Sequence, residues 1–391
     1  MTDRITERIL PLRDFRRGNN MLFELCELGG RCPAPWLSVW GDEIHEQDDI
    51  RTTVNAVVDL INESRHPFEI AQSPLNYEDL VYAMDRLWRL ESGRAFDPLA
   101  AVTRKALLSR LSSRPGLLRA LQQVLSISIH CMIDLVSKAL EVDRPSWTHL
   151  QFLSELIREI GPANVTVLTT NHDTLLEHYF ENLHLSVEDG FSVPETNRDI
   201  PRWSPRLLDQ EHATLRLLKV HGSIDWHWLT RRDRVAEMMA RGSVERLEEW
   251  TNPNAERHSV DWDVEDRSVI LVGSYNKAER YASGLYWELF SRARREVMGA
   301  RRILVCGYGF RDEVINMMLV DWNSGTPDGQ LIVVARRGFD ELTAKLHPWM
   351  KEWFVLGREE GVLIPIENTC VEDLSWQNHI RPHMVSVPAP Q

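Results

Sequence analysis

The chain has 391 residues, 43% apolar and 26% charged, with a formal net charge of -13. That balance excludes a disordered or fibrous chain and leaves room for a sizeable core in one elaborated domain or two packed ones. The negative charge argues against direct nucleic-acid binding, which rests on Lys and Arg neutralising phosphates. The basic cluster Arg292, Arg294, Arg295, Arg301, Arg302, Arg336 and Arg337 therefore reads first as a solvated helix face.

The start MTDRITERILPLRDF lacks the apolar core of a signal peptide, and no stretch reaches the roughly 20 apolar residues of a membrane span. Cys26, Cys32, Cys131, Cys306 and Cys370 are scattered, without the C-x-x-C pairs of a structural zinc site. A cytoplasmic protein without a metal is the expectation.

In chain order, the first fifty residues are broken by Gly29, Gly30, Pro33, Pro35 and Gly41 and show no clear period. From 50 to 160 apolar residues recur at three-to-four spacing in VVDLINE, YEDLVYAMDRLWRLE, LAAVTRKALLSRL, LLRALQQVLSISIHCMIDLVSKALE and HLQFLSELIREI, which predicts a helical insertion or subdomain. VTVLTT then reads as a strand running into the helix NHDTLLEHYFENL. RRILVCGYGF is followed in the same way by RDEVINMMLVDW, and QLIVVARRG by FDELTAKLHPWMKEWF. LRLLKVHGS and SVILVGS are further strands, and TRRDRVAEMMARGSVERLEEW between them reads as a charged surface helix. Strands alternating with helices predict a Rossmann-like parallel α/β sheet flanked by helices over 1–391, with the helical block of 50–160 inside it.

Three strand ends carry polar residues or glycine: TTNHDTLLE at 169–177, LKVHGSIDW at 218–226 and ILVCGYGFRDEVIN at 303–316. Ligands of open α/β sheets bind outside the carboxyl ends of the strands. Thr169, Thr170, Asn171 and Asp173 offer amide and carboxylate groups suited to ribose or phosphate, and equally to capping the next helix. His221 after an apolar run is a general base or a satisfied structural histidine, and Gly222 would admit a ligand to the backbone. His172 and His178 read as packing or surface residues, and Trp226 and Trp228 as core residues or an aromatic wall. Gly307 and Gly309 stand in a turn where a diphosphate or ribose could approach, without the full G-x-G-x-x-G spacing. Asp312 and Asn316 share one helix face and would order that turn.

In this order, the three strings resemble the sirtuin-like domain of bacterial defence proteins that degrade NAD, over roughly 150 to 340. Thr169, Asn171 and Asp173 fit the family's Thr-Gln-Asn-x-Asp motif, with Thr170 in place of Gln. The family's catalytic His-Gly maps onto His221 and Gly222, and its ribose- and phosphate-binding turn onto Gly307, Tyr308, Gly309 and Phe310. The amino-terminal Gly-Ala-Gly-x-Ser loop is not found, although Gly29 and Gly30 stand in about the right place. The resemblance implies a Rossmann-like fold without the four-cysteine zinc module, and NAD+ as substrate. It further implies an NAD+ glycohydrolase with Asn171 and His221 catalytic, which acts as a gated effector of antiphage defence. Gating would come through homo-oligomerisation or a partner such as a ring-forming ATPase or a short Argonaute. A sirtuin-like scaffold in a defence complex that binds a nucleotide or another protein without turnover is the alternative.

Overall fold

The computed structural model describes residues 46–384 apart from 65–76, 94–96, 141–146, 197–198, 210–213, 232–236, 252–261, 273–276, 278–280, 283, 337 and 345. The proposed stand-in for the phosphate loop, at Gly29 and Gly30, lies outside the described residues. The strands in chain order are β1 (Thr166–Thr169), β2 (Val187–Glu188), β3 (Leu215–Lys219), β4 (Gly222–Arg231), β5 (Glu237–Arg241), β6 (Trp262–Ile270), β7 (Arg302–Cys306), β8 (Gln330–Ala335) and β9 (Leu363–Glu367). Two compact units form. One takes Met1–Glu141, Ser223–Glu237 and Ser243–Lys277, and the other takes Val142–Gly222, Met238–Gly242 and Ala278–Gln391. The helices expected over 50–160 divide between them, those through Leu140 in the first unit and Gln151–Ile160 in the second.

In the first unit the three-to-four spacing becomes the helices Glu46–Ser64, Tyr77–Glu91, Pro98–Arg110, Pro115–Arg119 and Leu121–Leu140. Leu121–Leu140 packs against Glu46–Ser64, Tyr77–Glu91 and β6, and Val57, Leu80, Met84, Leu87, Leu107, Val124, Leu125 and Val136 share the buried core. Pro98 opens its helix at the first position, where no backbone N–H is needed. Asp97 caps that helix by accepting from Leu99 N at 2.9 Å and Ala100 N at 3.2 Å.

On the helix Leu121–Leu140, burial and then the charge of Arg267 lower the His130 pKa from 6.5 to about 4. The unfolded chain then binds a proton near pH 6.5 that the folded chain refuses until about pH 4. This contribution to stability is intact above pH 6.5 and lost as pH falls toward 4, a loss of about 3 kcal/mol from that one group. Urea unfolding between pH 7 and 4.5 is expected to show the wild type losing stability faster than His130→Gln. Parallel losses in the two proteins would contradict the assignment.

The second unit is mixed α/β with parallel sheets. β3 lies between β1 and β2, and β8 lies between β7 and β9, with every one of these pairings parallel. β-Branched and apolar runs make β1, β3, β7 and β8, as the sequence predicts. Helix Leu175–Asn182 follows β1 and helix Glu313–Gly325 follows β7. Phe180, Leu215, Leu217, Ile332 and Trp376 close one core cluster, and Val333, Trp322, Met350 and Phe354 another. Phe180 and Phe354 are fully buried, and each such burial stabilises the fold by about 1.5–3 kcal/mol.

Two expected elements differ. The segment read as one charged helix over TRRDRVAEMMARGSVERLEEW holds the strand β5 and the helix Val244–Thr251. Gly242, at φ 153°, breaks it, and the Ser243 carbonyl accepts from Leu247 N at 3.1 Å to start the helix. FDELTAKLHPWMKEWF is likewise two helices, Phe339–Ala344 and Pro348–Glu359, because Pro348 holds His347 extended at ψ 144°.

Candidate functional site

β1 and β3 run parallel in a register that pairs Thr169 with Lys219. Asn171 and His221 therefore each stand two residues beyond the same paired level, at the carboxyl ends of adjacent strands. The Val220 N–H reaches the Thr169 carbonyl at 3.2 Å, which carries the pairing one step past the strands. Gly222 follows His221 at φ 79° and is buried, so its glycine serves the turn rather than an open approach.

The segment after β1 uses its polar residues differently. The Asn171 N–H donates to Thr169 Oγ1 at 3.0 Å, and Asn171 itself is exposed, while Thr170 is half-buried. Asp173, one residue before the N-cap Thr174, is buried and accepts from Leu175 N, the first N–H of the helix, at 3.1 Å through Oδ1. Asn171 is thus presented outward beside a helix start that Asp173 satisfies. Lys219, at the end of β3 and only 2% exposed, donates from Nζ to the Asp173 carbonyl and to Glu177 Oε1 at 2.7 Å. Its ammonium holds the segment that carries Asn171 against β3.

His221 is buried, with Nε2 2.9 Å from Asp312 Oδ2. Asp312 is the N-cap of helix Glu313–Gly325, and its Oδ1 accepts from Val314 N at 3.0 Å and Ile315 N at 3.2 Å. The Tyr281 hydroxyl donates to Asp312 Oδ2 at 3.1 Å. Burial, and then the Asp312 carboxylate, push the Tyr281 pKa far above its ordinary value, so the phenol keeps its proton. The His172 and Tyr281 rings flank that of His221, with centroids 6.0 Å and 6.1 Å away. His178 is exposed, as expected of a surface residue.

The turn after β7 supplies the remaining elements. Gly307, at φ 69°, and Gly309 are exposed, with open space where a side chain would begin. The Tyr308 hydroxyl lies 3.0 Å from both the Asp312 carbonyl and Asn316 Oδ1, and Asn316 Nδ2 donates to the Phe310 carbonyl at 2.9 Å. Burial, then Asp312, raises the Tyr308 pKa as well. Phe310, at φ 53°, faces the core, with its ring centroid 4.8 Å from that of Phe354. The turn is therefore braced from below while its two glycines stay open above. Burial pushes the neighbouring Cys306 thiol up to about 12, which leaves it protonated and a poor nucleophile.

Sequence reasoning picked out Asn171, His221 and the glycine turn, and for Asp312 and Asn316 it offered ordering of that turn in place of ligand contact. It missed Lys219, Tyr281 and the second bond of Asp312 to His221. A lysine inside the apolar run LRLLKV was the readable signal, since a buried ammonium requires acceptors. Trp226 is buried in the first unit, where it is a core residue. Arg294 and Arg295 are exposed and pair with Asp321 and Asp209, as a solvated helix face would, whereas Arg292, with its side chain 12% exposed, is largely buried and pairs with Asp209 and Glu296. Among the described residues no group of three or more His, Cys, Asp or Glu could hold a metal ion, and no helix is long and apolar enough to cross a membrane.

No curated protein matches the chain. Residues 165–355 match the family model of the SIR2-like domain, a span that contains Asn171, His221, Tyr281, Gly307, Gly309 and Asp312. The strand ends and the groups gathered on them thus lie within a sirtuin-like domain, which the chain carries over residues 165–355.

Proposed function

We propose that the second unit binds NAD+ and hydrolyses its nicotinamide–ribose bond. The observation that carries this reading is the buried His221–Asp312 pair, one strand away from the outward-facing Asn171. A SIR2-like domain is consistent with NAD-related activity. The residues fit the ligand, because Gly307 and Gly309 leave room for a ribose or phosphate to approach the backbone. In the reaction the C–N bond breaks, nicotinamide leaves with the bonding electrons, and water adds to the anomeric carbon with loss of a proton. Asn171 positions the ribose or the water, and His221 takes the proton from that water or from a ribose hydroxyl. Asp173 holds the loop that presents Asn171, and the turn from Gly307 to Phe310 meets ribose and phosphate. With water as the nucleophile the product is ADP-ribose; a cyclic form results where an atom of the same ADP-ribosyl group attacks the anomeric carbon in place of water.

An unregulated NAD+ hydrolase would starve its own cell, so its activity is gated. By resemblance, the protein is a cytoplasmic effector of antiphage defence that depletes NAD+ when triggered. Control comes through homo-oligomerisation or through a partner such as a ring-forming ATPase or a short Argonaute. A non-catalytic scaffold is favoured by one feature, the missing Gly-Ala-Gly-x-Ser string, yet a scaffold has no need of a buried base and its carboxylate. Titration calorimetry with NAD+ and with ADP-ribose tests the binding that the hydrolase reading requires. Binding heat with both ligands is expected, and no heat with either would favour the scaffold.

A further inference from the structure

Arg336 belongs to the basic cluster of the sequence, yet it stands on no helix. It follows β8 directly, beyond Ala335, and is exposed. β7 and β8 pair in parallel with Cys306 beside Val334, so Tyr308 and Arg336 each lie two residues past one paired level. Helix Glu313–Gly325 connects the two strands, and Gly307 and Gly309 stay open in the turn between β7 and that helix. The result is a βαβ unit with its glycine turn at the carboxyl end of the first strand.

In such a unit the pyrophosphate of a dinucleotide lies at the glycine turn and the adenosine ribose near the end of the next strand. A carboxylate there accepts from the 2′-hydroxyl of NAD+, whereas an arginine receives a 2′-phosphate. The stretch Val334-Ala335-Arg336-Arg337-Gly338 holds no carboxylate. Glu367, which ends β9 beside Ala335, is paired with Arg358 at 3.1 Å. Asp340 and Glu341 come only on the following helix, Phe339–Ala344. Arg336 and Arg311 are both exposed at this end of the sheet, and among the described residues neither makes an ion pair. A guanidinium offers a phosphate two parallel N–H donors, and it offers the proton of a ribose hydroxyl no acceptor.

We propose that Arg336 makes the ribose subsite one for a 2′-phosphate, so that the domain takes NADP+ in preference to NAD+. This rests on the proposed dinucleotide site and leaves its chemistry unchanged. The nicotinamide–ribose bond breaks, nicotinamide leaves with the bonding electrons, water adds to the anomeric carbon with loss of a proton, and the product is 2′-phospho-ADP-ribose. A chain with a net charge of -13 has no general attraction for the more negative ligand, so the preference must come from a local cation.

The test is titration calorimetry of the full chain with 2′-phospho-ADP-ribose and with ADP-ribose. The wild type is expected to bind the phosphorylated ligand roughly 10-fold or more tighter, the scale of a charge-assisted pair of hydrogen bonds. In Arg336→Ser, an exposed and unpaired position, the ratio is expected to fall to about 1. Arg294→Ser, on the helix Gly284–Gly299, removes the same charge elsewhere and is expected to keep the wild-type ratio. Equal affinities or no binding in the wild type, a ratio kept in Arg336→Ser, or a ratio lost equally in Arg294→Ser would each overturn the proposal. Equal affinities for two bound ligands sink the 2′-phosphate subsite and leave the hydrolase reading standing. If the ratio behaves as expected and neither dinucleotide releases nicotinamide, the hydrolase reading fails while the subsite stands.

Discussion

Lys219→Ala is expected to lower the stability of the second unit by about 3 kcal/mol, because removing one partner of a buried ion pair leaves the other charge uncompensated. The ammonium is 2% exposed and has two acceptors, the Asp173 carbonyl and the Glu177 carboxylate. Truncation takes a charged donor from both in a half-buried setting and leaves a cavity where the four-carbon stem ran. Lys219→Met restores most of the stem without the charge, so it is expected to recover only the packing share of the loss. Urea unfolding reads the difference as a lower midpoint at unchanged slope. A loss below about 0.5 kcal/mol would place Lys219 with ordinary surface residues and remove its role in holding the Asn171 segment.

Asn171→Ala and His221→Ala are both expected to reduce nicotinamide release by about 100-fold or more, the range that a positioned acid–base group contributes. Their stabilities should differ. Asn171 is exposed and its backbone bond to Thr169 Oγ1 survives the substitution, so Asn171→Ala should stay within about 0.5 kcal/mol of the wild type. His221 is buried against Asp312, and its removal leaves that carboxylate short of a donor, so His221→Ala should lose activity and stability together. An Asn171→Ala protein that is both stable and inactive would separate a role in the reaction from a role in folding.

Much of the fold was legible because period and residue type agreed. The helices of the first unit follow from three-to-four spacing, β1, β7 and β8 from β-branched and apolar runs, and β3 from the leucine-rich run LRLLKV, each stopping at polar residues or glycine. β9 escaped notice because Pro365 interrupts LIPIE, and proline is tolerated there since, among the described residues, β9 pairs with β8 along one side only. β5 was hidden in a charged stretch whose spacing also suits a helix, until Gly242 and Ser243 divide it. At the site, the residues after each strand could be read one string at a time. The links between strings could not. Asp312 lies 91 residues from His221, and Tyr281 lies 31 from Asp312, so their shared carboxylate is a product of tertiary packing. The cap signature of Asp312 was visible, but nothing local distinguishes a carboxylate that only caps from one that also holds an imidazole.

The most direct measurement of the central claim is nicotinamide release from NAD+ by the purified full chain, alone and with a candidate activating partner, compared with Asn171→Ala and His221→Ala. The account predicts release by the wild type once it is activated, and release lower by about 100-fold or more in both variants. Equal release by the variants, or an activated wild type that binds NAD+ and leaves it intact, would contradict it.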